Sequence, residues 1–269
     1  MAELLYGKPA ADALTAETRR RADLLRDKGV MPKLVILRCG ENEADGAYIR
    51  GAMKRGGLCG VDVELRTLAE NVSADELARA LEAVNSDNGI HGCLLLRPLP
   101  GHLKAMESKL CALLDPKKDV DGMTPVSAAG VFTGSGQGFP PCTAQACMAL
   151  LDYYHIDSAG KSAAVVGRSA VVGRPAAMLL LARNATVTVC HTGTKDVAAV
   201  TREADIIITA AGAAGSLTAA HVRPGQVVVD VSTNWNGVSL CGDAVFDDVS
   251  QIVEAITPVP GGVGAVTSA

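Results

Sequence analysis

The sequence predicts an α/β fold made of two domains with parallel sheets. Short aliphatic runs alternate with amphipathic stretches in strand–helix order along most of the chain. The residues are 48% apolar but only 3% aromatic, so the core is aliphatic, which suits parallel sheets covered by helices. The rhythm runs twice, before and after a glycine-rich interval, Gly130 to Pro141, read as a linker or loop. A chain of 269 residues holds one large or two modest domains. The expected boundaries are 1–140 and 141–269.

In the first series, residues 9–28 are rich in Ala, Leu, Arg and Glu and read as an amphipathic helix ended by Gly29. Leu34 to Leu37 is a buried strand. Residues 44–58 read as a helix, yet carry Gly46, Gly51, Gly56 and Gly57. Each mid-helix glycine costs about 1 kcal/mol against alanine, so tertiary packing must hold this helix. Val61, Val63 and Leu65 alternate with polar residues, the pattern of an edge strand. Ser73 and Glu76 form a capping box ahead of a helix with Leu77, Leu81 and Val84 on one face. Cys93 to Leu96 is a third strand, stopped by Pro98-Leu99-Pro100.

The second series has a helix at 143–154, a strand at 163–166, a helix at 173–183 and a strand at 186–189. Ile206 to Ile208 and Val227 to Val229 are two more buried strands. After the apolar run Val253 to Ile256 comes Thr257-Pro258-Val259-Pro260-Gly261-Gly262-Val263-Gly264-Ala265-Val266-Thr267. Its prolines and glycines argue against a helix or an ordinary strand. Two readings stand for it: a disordered tail, or, because it follows a buried strand, a backbone segment lining a cleft.

The totals exclude several classes. Net charge is −4 with no basic block, so nothing points to nucleic acid. No apolar run approaches the roughly 20 residues of a bilayer span. The N-terminus lacks a secretory signal, which points to the cytoplasm. The eight cysteines include no Cys-x-x-Cys pair and read as buried small hydrophobes, with no metal site expected.

The strand at 163–166 runs into Gly167-Arg168-Ser169-Ala170-Val171-Val172-Gly173-Arg174-Pro175 and then an apolar helix. A strand, a glycine turn and a helix N-terminus together form a pyrophosphate site. The glycines are six apart, not in the G-x-G-x-x-G spacing. An NAD site usually has Asp or Glu at the end of the next strand. This chain has Cys190-His191-Thr192 instead. No carboxylate repels a 2′-phosphate there, and Arg168 with Thr192 could bind one, favouring NADP over NAD. The other reading of Arg168 is a solvated loop cation, and of His191 a structural strand-end residue.

These motifs add up to a resemblance. Val166-Gly167-Arg168-Ser169 with Val172-Gly173-Arg174-Pro175, Ala185 to His191, and Thr257 to Gly264 closely resemble the bifunctional methylenetetrahydrofolate dehydrogenase/cyclohydrolase family (FolD type). So do Lys118-Asp119-Val120-Asp121-Gly122, Pro141-Cys142-Thr143, and Gly40 ahead of Ala47-Tyr48-Ile49. The resemblance implies a folate-binding catalytic domain and a Rossmann-like NADP domain facing each other across a cleft, usually as a homodimer. It implies that 5,10-methylenetetrahydrofolate gives a hydride to NADP, and that a second reaction hydrolyses the methenyl product to 10-formyltetrahydrofolate. By position, Tyr48 resembles the residue that stacks on the folate and Asp121 the carboxylate that holds the pterin. Pro260, Gly261 and Gly262 fall on the substrate side. Gly167, Arg168, Ser169, Val172, Gly173, Arg174, His191, Thr192, Ala211, Gly212 and Thr233 fall on the cofactor side.

The chain departs from the family at two polar positions. The family's Tyr-x-x-x-Lys motif reads Tyr48 to Ala52 here, so its catalytic lysine is absent. Its Gln two residues before Pro-Leu-Pro is Leu96 here, followed by Arg97. Lys54 lies roughly 200° round the helix from Ala52, and Arg55, closer to the right face, carries a guanidinium that is a poor general base. The loop Asp230 to Asn234 lacks the usual Gly-Ile, Ala265-Val266 replaces Pro-Met, and the family's final helix is not expected before Ala269.

Hydride transfer from the methylene carbon is driven by the neighbouring nitrogen lone pair and mainly needs proximity and orientation. Hydrolysis of methenyl must activate water and manage protons at a tetrahedral intermediate. Loss of Lys and Gln therefore weakens hydrolysis first. The expected activity is an NADP-dependent dehydrogenase with weak or no cyclohydrolase. The alternatives are a bifunctional enzyme with a rearranged site, and a non-catalytic folate- or nucleotide-binding paralogue.

Overall fold

In the computed structural model of the protein, residues 1–269 are described, apart from the side chains of Glu43, Ala44 and Ala47. Ala47 of the motif above thus lies outside the described side chains. The chain forms two compact units. One comprises Ala13–Pro140 and Ser268; the other comprises Met1–Asp12, Pro141–Thr267 and Ala269.

The chain opens with β1 (Glu3–Leu4) and α1 (Gly7–Arg26). Gly29, at φ +78°, turns the chain after α1. The 13–140 unit is then built from β2 (Lys33–Cys39), α2 (Glu43–Cys59), β3 (Asp62–Leu68), α3 (Ala74–Ser86), β4 (Gly92–Leu95), α4 (Glu107–Cys111) and α5 (Pro125–Thr133). Its parallel sheet has the order β3-β2-β4, so β3 is an edge strand, as its alternation predicts. Ser73 and Glu76 cap α3 reciprocally. Leu77, Leu81 and Val84 are fully buried against Val35, Leu37 and Leu95 of the sheet. Each such side chain contributes about 1.5–3 kcal/mol by leaving water. On the other side Ile36, Ile49 and Leu94 form a smaller cluster between the sheet and α2.

The glycine-rich α2 has a packing reason. A Cβ on Gly56 would lie 2.2 Å from Val63 Cγ2, so glycine lets α2 settle onto β3. The interval Gly130–Pro141 is not all loop: α5 continues to Thr133 before Gly134 takes φ +65° and ends it. Gly130 is buried within that helix, where a Cβ would lie 1.9 Å from Gln137 O.

The second unit follows with α6 (Cys142–Tyr153), β5 (Ser162–Val166), α7 (Gly173–Ala182), β6 (Thr186–Cys190), α8 (Val197–Glu203), β7 (Ile206–Thr209) and β8 (Val227–Asp230). A hairpin of β9 (Asn234–Trp235) and β10 (Leu240–Cys241), α9 (Phe246–Val249), β11 (Ala255–Ile256) and α10 (Val263–Thr267) complete it. Its six-stranded sheet has the order β1-β11-β8-β7-β5-β6, with every pairing parallel. The chain leaves β5 for β6 on one side and then crosses to β7 on the other. The carboxyl end of β5 is thus the switch point of a Rossmann-like sheet, where such folds bind nucleotides.

Two expectations are corrected. Residues 1–12 were expected with the first domain, but Glu3 and Leu4 pair with Ala255 and Ile256, which places them in the second unit. The closing segment was expected to be free of helix, yet Val263–Thr267 is helical. Its prolines stop at Pro260, and the helix is held by packing on α6 with Val263 and Val266 buried. No described helix is long and apolar enough to cross a membrane.

Candidate active site

In the 13–140 unit, Tyr48 lies on α2 with 46% of its surface exposed, while its neighbour Ile49 is buried in the cluster with Ile36 and Leu94. Ala52, one turn on, packs against that same cluster, and so does Leu96 after β4. Ala52 and Leu96 therefore share one apolar surface. Arg55 is engaged elsewhere: its Nη1 donates to Thr15 Oγ1. Lys54 is exposed.

The segment Lys118 to Gly122 divides its work. Lys118 Nζ donates to the carbonyls of Val84, Asn85 and Asp87 at 2.7, 2.9 and 2.7 Å. Asp119, fully buried, accepts from Met123 N at 3.0 Å, Thr124 N at 2.8 Å and Ser127 Oγ at 2.6 Å. These two residues lock the loop to the fold, and Asp121 follows half-buried. Arg97 Nη2 donates to Asp121 Oδ2 at 3.2 Å. Arg97 also lines a cavity of about 560 Å³ with Gly40, Glu41, Glu70 and His102.

In the second unit, β5 delivers Gly167 at φ +124°. A Cβ there would lie 2.2 Å from Ala210 O, and one on Gly173 would lie 2.2 Å from Gly167 O. The two glycines let the turn and the start of α7 approach each other closely; any side chain would close the cradle. This backbone fits a dinucleotide pyrophosphate at a helix N-terminus. Ser169 Oγ accepts from Val172 N at 3.1 Å and Gly173 N at 3.3 Å, satisfying two early N–H groups of the helix entry. Arg168 and Arg174 are exposed, and neither forms an ion pair among the described residues.

His191 serves its own turn: Nδ1 accepts from Gly193 N at 3.0 Å, and its backbone N donates to Thr194 Oγ1 at 2.9 Å. Thr192 is exposed. The first carboxylate after β6 is Asp196, and it is committed to capping α8 through Ala199 N at 2.8 Å. Thr192 and Arg168 thus lie in two turns that carry no free carboxylate.

Ala211 and Gly212 sit on an exposed turn after β7, with Gly212 at φ +67°. Sequence reasoning missed what holds them. Asp243, fully buried, accepts from Ala211 N at 2.7 Å, Gly212 N at 3.3 Å and Ala213 N at 2.8 Å. It also accepts from Thr209 Oγ1, Ser232 Oγ and Asn234 Nδ2 at 3.0, 2.8 and 3.0 Å. Asp230 in turn accepts from Asp243 N at 3.0 Å and Ala244 N at 2.8 Å. Burial pushes the Asp230 carboxyl up to about 6, against the pull of those two N–H groups. Nothing in the local pattern marks either aspartate; only the fold brings their donors together.

Thr233, Pro260, Gly261 and Gly262 line one cavity of about 270 Å³. Gly261 takes φ +108°, and its carbonyl accepts from Gly7 N at 2.8 Å. Gly7 itself must be glycine, since a Cβ would lie 2.0 Å from Gly262 O. The closing segment is therefore backed by the start of α1. The structure thus joins Thr233 with the closing segment, and Gly167 with the turn before Ala211.

Comparison with known proteins gives the same picture over the whole length. Residues 5–121 match the tetrahydrofolate dehydrogenase/cyclohydrolase catalytic domain, and residues 141–269 match the NAD(P)-binding domain of the same family. Bifunctional protein FolD of Carboxydothermus hydrogenoformans is 46% identical, covering 100% of this chain and 94% of the relative. A crystal structure of the bifunctional FolD methylenetetrahydrofolate dehydrogenase/cyclohydrolase from Campylobacter jejuni superposes with a TM-score of 0.94 at 38% identity, covering 100% of this chain and 95% of that one. The Trypanosoma brucei FolD structure, complexed with NADP cofactor and inhibitor, gives 0.88 at 33% identity, covering 99% of this chain and 93% of that one. The two matched domains, the sheet with its switch point at β5 and the glycine cradle agree: the chain belongs to the tetrahydrofolate dehydrogenase/cyclohydrolase family.

Proposed function

We propose that this protein oxidises 5,10-methylenetetrahydrofolate with NADP and hydrolyses the methenyl product slowly or not at all. The observation that carries this reading is the apolar packing of Ala52 and Leu96 against Ile36, Ile49 and Leu94. Hydrolysis needs a polar, pKa-tuned group to manage protons. Neither of these side chains has one, and Arg55 is held by Thr15.

Oxidation asks less of the side chains. NADP supplies the hydride acceptor when bound. Gly167, Ser169 and Gly173 fit its pyrophosphate, with Arg168 and Thr192 toward a 2′-phosphate. Ala211, Gly212 and Thr233 hold the cofactor along the strand ends. Tyr48 stacks on the folate, Asp121 binds the pterin, and Pro260 to Gly262 shape the substrate side of their cavity. These roles supply orientation, which is what hydride transfer requires. The protein acts as a cytoplasmic homodimer in this reading. The names of the bifunctional relatives favour a second reading, in which hydrolysis survives through a rearranged site.

Turnover with methylenetetrahydrofolate and NADP separates the two. Formation of methenyl equal to NADPH formed supports the dehydrogenase. NADPH accumulating without methenyl, beyond the buffer's own hydrolysis, supports the bifunctional enzyme.

A further inference from the structure

The carboxylate of Asp243 is fully buried and faces six donors, with no cation paired to it among the described residues. A buried charge persists only where hydrogen bonds compensate its loss of water. Here the donors come almost wholly from two loops. Three are consecutive backbone N–H groups, of Ala211, Gly212 and Ala213, gathered as a nest around one anion. Two more are the side chains of Ser232 and Asn234, which flank Thr233. Ser232 Oγ also accepts from Gly212 N at 3.1 Å, closing the two loops on each other.

The outer face of this arrangement is open. Ala211, Gly212, Ala213 and Thr233 are all exposed. Nothing lies within 4 Å of a Cβ built on Gly212, so glycine is required by its positive φ and not by crowding. The shape of the turn therefore depends on the anion behind it. Asp243 is itself placed by Asp230, whose carboxylate accepts from the Asp243 and Ala244 amides. Gly242 makes room for that contact, since a Cβ there would lie 2.0 Å from Asp230 Oδ2. Asp230 N donates to Thr257 Oγ1 at 2.7 Å, at the start of the closing segment. One hydrogen-bonded chain thus runs from Ala211 through Asp243 and Asp230 to Thr257.

We propose that Asp243 is the positioning residue of the cofactor site, fixing from behind the two loops that carry Ala211, Gly212 and Thr233. This rests on the reading that those three residues contact NADP. An asparagine at 243 keeps the size but replaces one of the two acceptor oxygens by an N–H₂ group, so part of the donor set of the two loops faces another donor.

The test compares wild type, Asp243→Asn and a stability control, Gln226→Ala. Gln226 is equally buried at the amino end of β8, where its Nε2 donates to the carbonyls of Thr201 and Ala204, away from both loops. NADP affinity by titration, KM for NADP and KM for methylenetetrahydrofolate are measured on each, with thermal midpoints alongside. The expected result for Asp243→Asn is a tenfold or greater rise in Kd and KM for NADP, with KM for the folate within about twofold. Gln226→Ala lowers the thermal midpoint while leaving NADP binding within about twofold. Equal effects of the two variants on NADP, or unchanged NADP binding in Asp243→Asn, overturn the proposal. If Asp243→Asn does not fold, Ser232→Ala and Asn234→Ala each remove one donor and are expected to raise KM for NADP severalfold; no change in both overturns it. Wild type failing to bind NADP contradicts the underlying cofactor reading instead, which separates the two failures.

Discussion

Arg97 donates from Nη2 to Asp121 Oδ2 at 3.2 Å, and both side chains are less than one third exposed. The residue that follows Leu96 thus reaches the carboxylate proposed to bind the pterin. The pair keeps Asp121 oriented in a partly desolvated position. Replacing Arg97 by Leu is expected to raise KM for methylenetetrahydrofolate roughly fivefold, the equivalent of about 1 kcal/mol for a partly screened ion pair. KM for NADP should not move. Steady-state kinetics with each substrate varied in turn checks this, and an unchanged folate KM removes Arg97 from the site.

Polar residues placed at positions 52 and 96 should confer hydrolysis. The double substitution Ala52→Lys and Leu96→Gln puts an amine and an amide on the apolar surface beside Ile49 and Leu94. A positioned general acid–base group typically contributes about 10²–10⁴-fold. We expect at least a tenfold gain in methenyl hydrolysis, with dehydrogenase activity kept within severalfold. No gain, in a variant with a wild-type circular dichroism spectrum, places the determinant of hydrolysis elsewhere.

Gly173→Ala tests the cradle. The added methyl meets Gly167 O at 2.2 Å, a backbone atom that cannot step aside cheaply. Overpacking of this kind costs about 1–3 kcal/mol. NADP affinity should fall at least tenfold, with a lower thermal midpoint. Gly57→Ala, where nothing lies within 4 Å of the added carbon, is the control and should be neutral or stabilising. Equal behaviour of the two variants contradicts the close approach.

Asp230 sets a pH dependence. Its carboxyl is raised from 3.8 to about 6, chiefly by burial, with the neighbouring Asp243 adding to the rise. A folded pKa above the unfolded one means the native state holds the proton more tightly. The stability this supplies is fully present below about 3.8 and is lost as pH rises through about 6. The loss is on the order of 2–3 kcal/mol at most. Asp230→Asn removes this titration, so the stability difference between wild type and variant should shift against wild type between pH 4 and pH 7. Denaturant unfolding at both pH values checks it; a constant difference contradicts it.

Much of this molecule can be read before it is folded. The Ser73–Glu76 capping box, the edge position of β3 and the glycine turn after β5 are local patterns, and each takes the form its pattern implies. What escapes is nonlocal. Glu3 and Leu4 open the chain but pair with Ala255 and Ile256 near its other end. The prolines and glycines of the closing segment hide a short helix that exists because α6 covers it. Asp230 and Asp243 carry no local signal, since their partners come from separate loops that only the fold brings together. The Arg97–Asp121 contact likewise spans 24 residues and needs β4 beside the 118–122 segment.

In the proposed function the site favours oxidation and hydrolyses methenyl slowly or not at all. Its most direct test is to add 5,10-methenyltetrahydrofolate to the pure enzyme and follow its absorbance, beside a sample of the same preparation that reduces NADP with methylenetetrahydrofolate. Methenyl loss is expected at the rate of buffer alone, with active dehydrogenase in the parallel sample. Rapid, enzyme-dependent loss of methenyl contradicts it.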